Sequence, residues 1–376
     1  MSKPYKIFAE HLDGKTLHQF HEAMKAEGVV RGALMPDAHL GYSLPIGGVI
    51  ATEGVVFPAW VGFDIGCGMS AVPLKLDAGQ VRAHAAEIHE AIRRTIPMGV
   101  GKQHQDVEID EDVEARLNPD RLTAATRELV EAKGWRSQIG TLGSGNHFIE
   151  VGADEHGEVW VIVHSGSRGV GHAIATHHMK KASGGGKARE GNWGFPVDSH
   201  AGQAYLNDMA WALDFALANR EAMVGDVVGV ILDRVGGDWK TVCMWDRFIN
   251  RHHNHATERD GLWIHRKGAT HAEAGMMGVI PGNMRDGSFI VRGKGNPDSL
   301  WSSSHGAGRV LGRKEAKRQL DLEAFKAQMV GIASCAGEHT LDEAPGAYKS
   351  IFEVMRLQAD LLDVVAHVRP IVNVKG

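Results

Sequence analysis

The sequence predicts an α/β or mixed α+β fold in a single domain, with its functional groups carried at loop ends. Three observations predict it. Short apolar runs of strand character alternate with amphipathic helical patterns, without a clear period. Most of the extended runs stop at a polar or glycine-rich motif, which puts that motif at a strand end or in the following loop. The 376 residues, 43% hydrophobic and 23% charged, are an ordinary globular balance and enough for one large core or two closely packed halves.

Taken in order, Gly48 to Thr52 is the first extended segment. Val81, Ala85, Ile88 and Ile92 then recur at helical spacing, predicting an amphipathic helix that stops near Pro97. A second helix is expected from Asp120 to Ala132, and a strand from Val159 to Val163. His177 and His178 fall in a helix, about 100° apart around it, and with no glycine-rich partner motif they are assigned to a solvated face. Lys180 to Gly194 is the best candidate for a mobile loop. Its Gly186–Lys187 pair invites a phosphate-loop reading, but Ala188 stands where a Walker motif needs Ser or Thr, and Lys181 where it needs its first glycine. Further strands are expected at Leu262 to His265, Gly278 to Pro281 and Phe289 to Arg292. A last helical stripe runs through Ile351, Met355, Leu362 and Val365 and ends before Pro370.

The net charge of −5 gives no bulk argument for nucleic-acid binding, so such a partner needs a local basic groove. No apolar run reaches the roughly 18 residues of a membrane span, and the amino terminus lacks the apolar core of a secretory signal. Three cysteines with no C-x-x-C pair predict a reducing, cytoplasmic setting.

The glycines, 47 against 12 prolines, cluster around the motifs that carry metal-type side chains, as expected where backbone approaches a ligand closely. Asp64 and Cys67 lie in G-F-D-I-G-C-G, His147 in G-S-G-N-H-F-I-E, His164 in V-H-S-G-S-R-G and His253 in H-H-N-H. Carboxylate, thiolate and imidazole together suit a borderline transition metal such as zinc or manganese. A tight turn aims Asp64 and Cys67 at one ion, although Cys67 taken alone reads as a small buried hydrophobe, as Cys243 and Cys335 do. A strand-to-helix corner would present Asn146, His147 and Glu150 to one pocket. His164 is the first polar residue after V-W-V-I-V, and Ser165, Ser167 and Arg168 follow as candidate phosphate donors. Adjacent backbone positions cannot aim all three imidazoles of H-H-N-H at one ion, and His253 is the better candidate. In S-S-S-H-G-A-G-R, Gly306 and Gly308 let backbone N–H groups approach a phosphate and Arg309 offsets its charge. His305 there is a candidate nucleophile.

Read together, these motifs resemble the RtcB family of RNA ligases. The match adds M-P-D-A-H-L-G (Met35 to Gly41), L-P-I-G-G-V (Leu44 to Val49), R-K-G-A (Arg266 to Ala269), I-P-G-N-M (Ile280 to Met284), D-E-A-P-G-A-Y-K (Asp342 to Lys349) and the terminal V-K-G, all in family order. The resemblance implies one catalytic domain over residues 1–376, in the family's α/β fold with a deep metal-containing cleft. It implies a GTP- and manganese-dependent ligase, active in RNA repair or tRNA splicing, that joins a 3′-phosphate or 2′,3′-cyclic phosphate RNA end to a 5′-hydroxyl end. Two manganese ions would be held by Asp64, Cys67, His147, His164 and His253. His305 would take GMP from GTP, with Asn146, Glu150, Ser304, Tyr348 and Lys375 around the guanylate beside Gly306, Ala307, Gly308 and Arg309. Asp37 and His39 would take part in RNA-end handling, and an activating protein such as archease is a possible partner. Ser303 and Leu40 depart from the family's usual cysteine and proline. The alternative is a dinuclear metal-dependent cyclic phosphodiesterase, which would need the metal ligands but not His305, Tyr348 or Lys375. A non-catalytic RNA-end or metal-binding protein would leave S-H-G-A-G-R without a use.

Overall fold

The computed structural model describes residues 3–105, 108–187 and 191–376. Its centre is an antiparallel sheet in the order Met277–Pro281, Ser288–Gly293, Leu362–Lys375, Phe148–Ala153, Val159–Ser165, Gly68–Leu74, Ile249–His252, with Ala333–Ser334 pairing in parallel with the long strand Leu362–Lys375. Period-two alternation gives this sheet two unlike faces. Ile149, Val151, Val161, Val163, Val72 and Val374 face one way, onto Val224, Val227 and Ile231 of the helix His200–Val235 and onto Ile88 and Ile92 of Ala85–Thr95. Phe148, Trp160, Ile162, Met69 and Ile249 face the other way. His164, Glu150 and Cys67 share the parity of that second set, so the polar motifs fall on the face the long helix does not cover.

A second sheet runs Tyr5–Ile7, Val29–Tyr42, Leu44–Glu53, Leu262–Lys267, Asn254–Arg259. Its pairing is interrupted between Leu34 and His39, where Asp37 lies. A two-stranded ribbon of Ala269–His271 with Ser302–Ser304 leaves the second sheet's side and delivers His305 beside His253. The Ala269 N–H donates to the His253 carbonyl at 3.1 Å, which fixes that approach.

The expected strands are present, each a residue or two longer than its sequence pattern. The expected helix at Val81–Ile92 is two, Ala78–Ala83 and Ala85–Thr95, broken at His84. The Asp120–Ala132 helix begins as a short 3₁₀ turn at Pro119–Arg121 and becomes α-helical only at Ala124.

Two expectations are overturned. The carboxy-terminal stripe is helical only over Ile351–Leu357, and Leu362–Lys375 is a strand. The β-branched run V-V-A-H-V-R-P-I-V-N-V suits a strand paired on both sides, and Pro370, with no N–H to give, sits at the register shift against Phe148–Ala153. His178 is buried, not solvated. Its Nε2 lies 2.7 Å from Asp208 Oδ2, which also accepts from the Thr126 hydroxyl at 2.8 Å. Residues 188–190 of the expected loop lie outside the described residues, and its first residues, to Ala182, belong to the helix Arg168–Ala182. Among the described residues no helix is long and apolar enough to cross a membrane.

Candidate active site

Sheet register assembles the donors. Met69 and Phe148 both pair across from His164, Gly68 pairs with His252, and the His253 N–H donates to the Cys67 carbonyl at 2.7 Å. All five candidate metal ligands therefore meet at one end of the central sheet. His147 Nε2 lies 3.1 Å from Asp64 Oδ2 and 3.5 Å from Cys67 Sγ. His164 Nε2 lies 3.3 Å from Cys67 Sγ and 3.3 Å from His253 Nε2. The corner at His147 leads into the strand Phe148–Ala153, not into a helix as expected. His252 and His255 stay out of the cluster: His252 Nδ1 bonds the Gly66 carbonyl at 3.0 Å, and His255 stacks on His271 at 4.4 Å.

The tautomers follow from the outer contacts. His147 Nδ1 donates to the Leu142 carbonyl at 2.9 Å and His164 Nδ1 to the Asn146 carbonyl at 3.1 Å. Carbonyls only accept, so each ring carries its proton on Nδ1 and turns a bare Nε2 inward. The His147 lone pair then faces a carboxylate oxygen, and the His164 lone pair faces another imidazole nitrogen. Acceptors opposed in this way need a proton or a cation between them. Burial, with neighbouring imidazoles second, holds His164 and His253 well below the usual histidine range, which disfavours the proton. The donor set fits a cation that takes nitrogen, sulfur and oxygen. Burial first, and Asp64 second, hold the Cys67 thiol well above its usual range, so such a cation must displace its proton. Gly166 is glycine for space: a Cβ there would sit 2.1 Å from Asp64 Oδ1.

Ser165 and Ser167 do not serve as phosphate donors. Both are buried, and their hydroxyls donate to the carbonyls of Leu142, at 2.9 Å, and Ile65, at 2.5 Å. Arg168 Nε is held by the Thr141 hydroxyl at 3.2 Å.

His305 stands next to this cluster, its ring centroid 4.9 Å from that of His253. Its Nδ1 lies 2.6 Å from Asp37 Oδ2, and the same oxygen accepts the backbone N–H groups of His305 at 3.1 Å and Gly306 at 3.3 Å. Asp37 is fully buried. Burial pushes its carboxyl up, but the charge and hydrogen bond of His305 outweigh this and hold it below the usual carboxylate range. Lys349 Nζ donates to the carbonyls on either side, Pro36 at 3.1 Å and Ala38 at 2.8 Å, and so clamps the Asp37 loop. Gly308, at φ +74, lets that loop close, because a Cβ would meet the Asp37 carbonyl at 2.2 Å. The N–H groups of Gly306 and Ala307 are spent on Asp37 and on the Pro281 carbonyl (2.9 Å). These small residues therefore supply room, not phosphate donors as the sequence suggested.

Beyond His305 opens a cavity of about 290 Å³. Asn146 and Glu150 lie on its sheet side, Gly306 to Arg309 along one edge, and Tyr348 and Lys375 opposite. Ser304 does not line it: its N–H donates to Gln358 Oε1 at 3.0 Å within the ribbon. Register explains the floor, since Asn373 pairs with Glu150 and Lys375 with Phe148. Burial pushes the Glu150 carboxyl up to about 8, against the hydrogen bonds of Ser288 and Asn373, and its Oε1 is buried without a partner.

Sequence reasoning missed the hub of the far wall. Glu343 accepts from Arg313 at 2.6 Å, Tyr348 at 2.6 Å, Lys375 at 2.7 Å and Arg309 at 3.1 Å. Although buried, its carboxyl is held down to about 2, chiefly by Lys375 and Arg313. Three cations around one carboxylate, with Asp342 reached only by Arg313 (2.6 Å) and the outer Lys317 (3.4 Å), leave this wall electropositive. Glu343 was within reach, as the second residue of the matched D-E-A-P-G-A-Y-K.

A mixed donor cluster beside an oriented imidazole at the mouth of an electropositive cavity is the layout of a metal-assisted phosphoryl- or nucleotidyl-transfer enzyme. The family model described as tRNA-splicing ligase RtcB matches residues 19–376. The chain is 38% identical to the RNA-splicing ligase RtcB of Escherichia coli strain K12, over 92% of this chain and 90% of that protein. It is 32% identical to the RNA-splicing ligase RtcB of Mycobacterium tuberculosis (93% and 98%) and 30% identical to the tRNA-splicing ligase RtcB of Thermococcus kodakarensis (96% and 91%). The chain belongs to the RtcB family and is an enzyme of the RNA ligase class.

Proposed function

We propose that residues 1–376 form one catalytic domain that uses GTP and manganese to join 3′-phosphate or 2′,3′-cyclic phosphate RNA ends to 5′-hydroxyl ends, with His305 as the residue that carries GMP. The observation that supports this most is the Asp37–His305 contact at 2.6 Å. With its proton held on Nδ1, the ring keeps the Nε2 lone pair as its nucleophile.

In this reading Nε2 attacks the α-phosphorus of GTP. A P–N bond forms, the bond to pyrophosphate breaks, and the buried Asp37 carboxylate stabilises the positive ring that results. An oxygen of the RNA 3′-phosphate then attacks the same phosphorus, and the P–N pair returns to His305. The 5′-hydroxyl oxygen finally attacks the RNA phosphorus and GMP leaves, while a cyclic end is first hydrolysed to the monophosphate. Asp64, Cys67, His147, His164 and His253 would hold the two manganese ions, whose chemistry is to offset phosphate charge and polarise phosphoryl oxygens. Guanine carries N–H donors where adenine has none to match, and the unpartnered Glu150 oxygen suits them. Tyr348, Lys375 and Arg309 would flank the phosphates. A cytoplasmic setting and an activating partner such as archease belong to the same reading.

Radiolabelled GTP with manganese tests it. The protein should take up label that is acid-labile and alkali-stable, as a phosphoramidate is, and His305→Ala should take up none. Comparable labelling of His305→Ala at another residue would overturn the assignment.

A further inference from the structure

The donor cluster opens to solvent at Asp64, whose side chain is 33% exposed against 5% for His147. An aromatic group flanks that opening. Phe63, the residue before Asp64, stacks on His172 with centroids 5.1 Å apart and planes at 21°. Tyr42 meets Phe63 edge-on at 6.5 Å and 84°, and is itself 54% exposed. His172 is exposed on the helix Arg168–Ala182, whose capping Ser167 N–H donates to Asp64 Oδ1 at 3.2 Å. Tyr42 ends the strand that carries Asp37. The group therefore spans from the loop that orients His305 to the outermost candidate metal ligand, on the side of the site away from the nucleotide cavity, whose lining does not include it. Its position is built: Lys267 Nζ donates both to the Tyr42 carbonyl and to the Ala59 carbonyl, the latter at 3.0 Å, and so ties the two approaches together.

We propose that Tyr42, Phe63 and His172 form a stacking subsite for the terminal nucleobase of an RNA end, a proposal that rests on the ligase reading above. Exposed aromatic rings beside a polar site offer a base what water does not, a π face and an apolar edge. In a single-stranded end the last base has lost one stacking neighbour, and its phosphate lies within one nucleotide's length of it. A terminal phosphate or hydroxyl at the metal donors thus brings its own base over the residue next to Asp64. That continuity with the donor cluster favours a nucleotide over a protein segment as the occupant.

The test is the equilibrium affinity of the manganese-loaded full chain for two short fluorescent RNAs, one presenting a 3′-phosphate end and one a 5′-hydroxyl end, each with an intact or an abasic terminal nucleotide. Tyr42→Ala should weaken binding of one of the intact RNAs by roughly 5- to 100-fold, the range for losing one base–aromatic stack. Tyr42→Phe, which keeps the ring, should bind like the parent, and His172→Ala should fall between. For the same RNA, removing the terminal base should cost the parent a similar factor and cost Tyr42→Ala little, because the partner is already gone. The RNA that behaves so identifies the end that is held. The proposal is overturned if Tyr42→Ala binds both RNAs like the parent, or if the abasic penalty is undiminished in Tyr42→Ala for both ends, as it would be for a protein-docking or purely structural role. The ligase reading fails separately, through absence of GTP labelling in the parent, because RNA affinity is measured without GTP.

Discussion

Asp37→Asn should slow the guanylation of His305 by roughly 10- to 70-fold. The geometry decides which way the new amide points. Asp37 Oδ2 accepts three N–H groups, from the His305 ring, the His305 backbone and the Gly306 backbone. An NH₂ at that position would face three donors, so the amide oxygen must take it and the NH₂ must take the place of Oδ1, which is buried without a partner. The ring therefore keeps its proton on Nδ1 and its nucleophile on Nε2. What is lost is the charge. A hydrogen bond to a charged group contributes about 1.5–3 kcal/mol against about 0.5–1.5 for a neutral one, and the difference grows as the ring becomes positive in a buried site. A loss of about 1.5–2.5 kcal/mol corresponds to the stated rate factor. Asp37→Ala should be worse, because it also strands three buried donors at about 1–3 kcal/mol each. The assay is single-turnover labelling with GTP at saturation, beside the joining of RNA that already carries a 3′-ppG end, a step for which His305 is not the nucleophile. Labelling of Asp37→Asn at the parent rate, or an equal loss in both steps, would refute the claim that Asp37 acts through His305.

Three further outcomes are expected. Cys67→Ser should weaken manganese binding by at least about 10- to 100-fold, and magnesium alone should not support joining, while Cys243→Ser, buried in the helix-covered core, should leave metal titration unchanged; full joining in magnesium free of transition metals would contradict this. Deleting Lys375 and Gly376 should cut GTP labelling about tenfold or more with little change in far-UV circular dichroism, because Lys375 is one of three cations on Glu343; labelling at the parent rate would deny Lys375 a role in nucleotide binding. If guanine needs the ionised Glu150, GTP affinity should rise up to tenfold per pH unit below about 8 and level off above it; Glu150→Gln should flatten that profile, and an unchanged slope would refute the pairing. The raised carboxyl has a stability cost of the corresponding sign. The folded state binds the proton more tightly than the unfolded chain does, so its contribution is fully present below the ordinary carboxylate range and is lost as pH rises through about 8.

Sequence by itself determined the local pieces. V-W-V-I-V-H-S is a strand wherever it folds, because its β-branched residues suit both faces of a buried sheet, and its first polar side chain must then emerge at the strand's end. The glycines around Asp64 and beside Asp37 mark close approaches that a side chain would block, whatever makes them. All five metal-type residues were legible for that reason, as polar groups in motifs too small to bury them alone. Tertiary structure decided what depends on a partner far along the chain. Asp37 and His305 are 268 residues apart, and no local spacing shows that one oxygen binds the other's ring. Glu343 looked like any surface acid until the ends of three separate segments converged on it. His178 looked solvated because its helical pattern cannot show Asp208 waiting in the core. The stripe from Ile351 to Val365 fits a helix over its first half, but the hydrogen bonds offered by two neighbouring strands claim the second. Local physics sets which conformations a segment tolerates, and the choice among them falls to the distant groups that must be paired or buried with it.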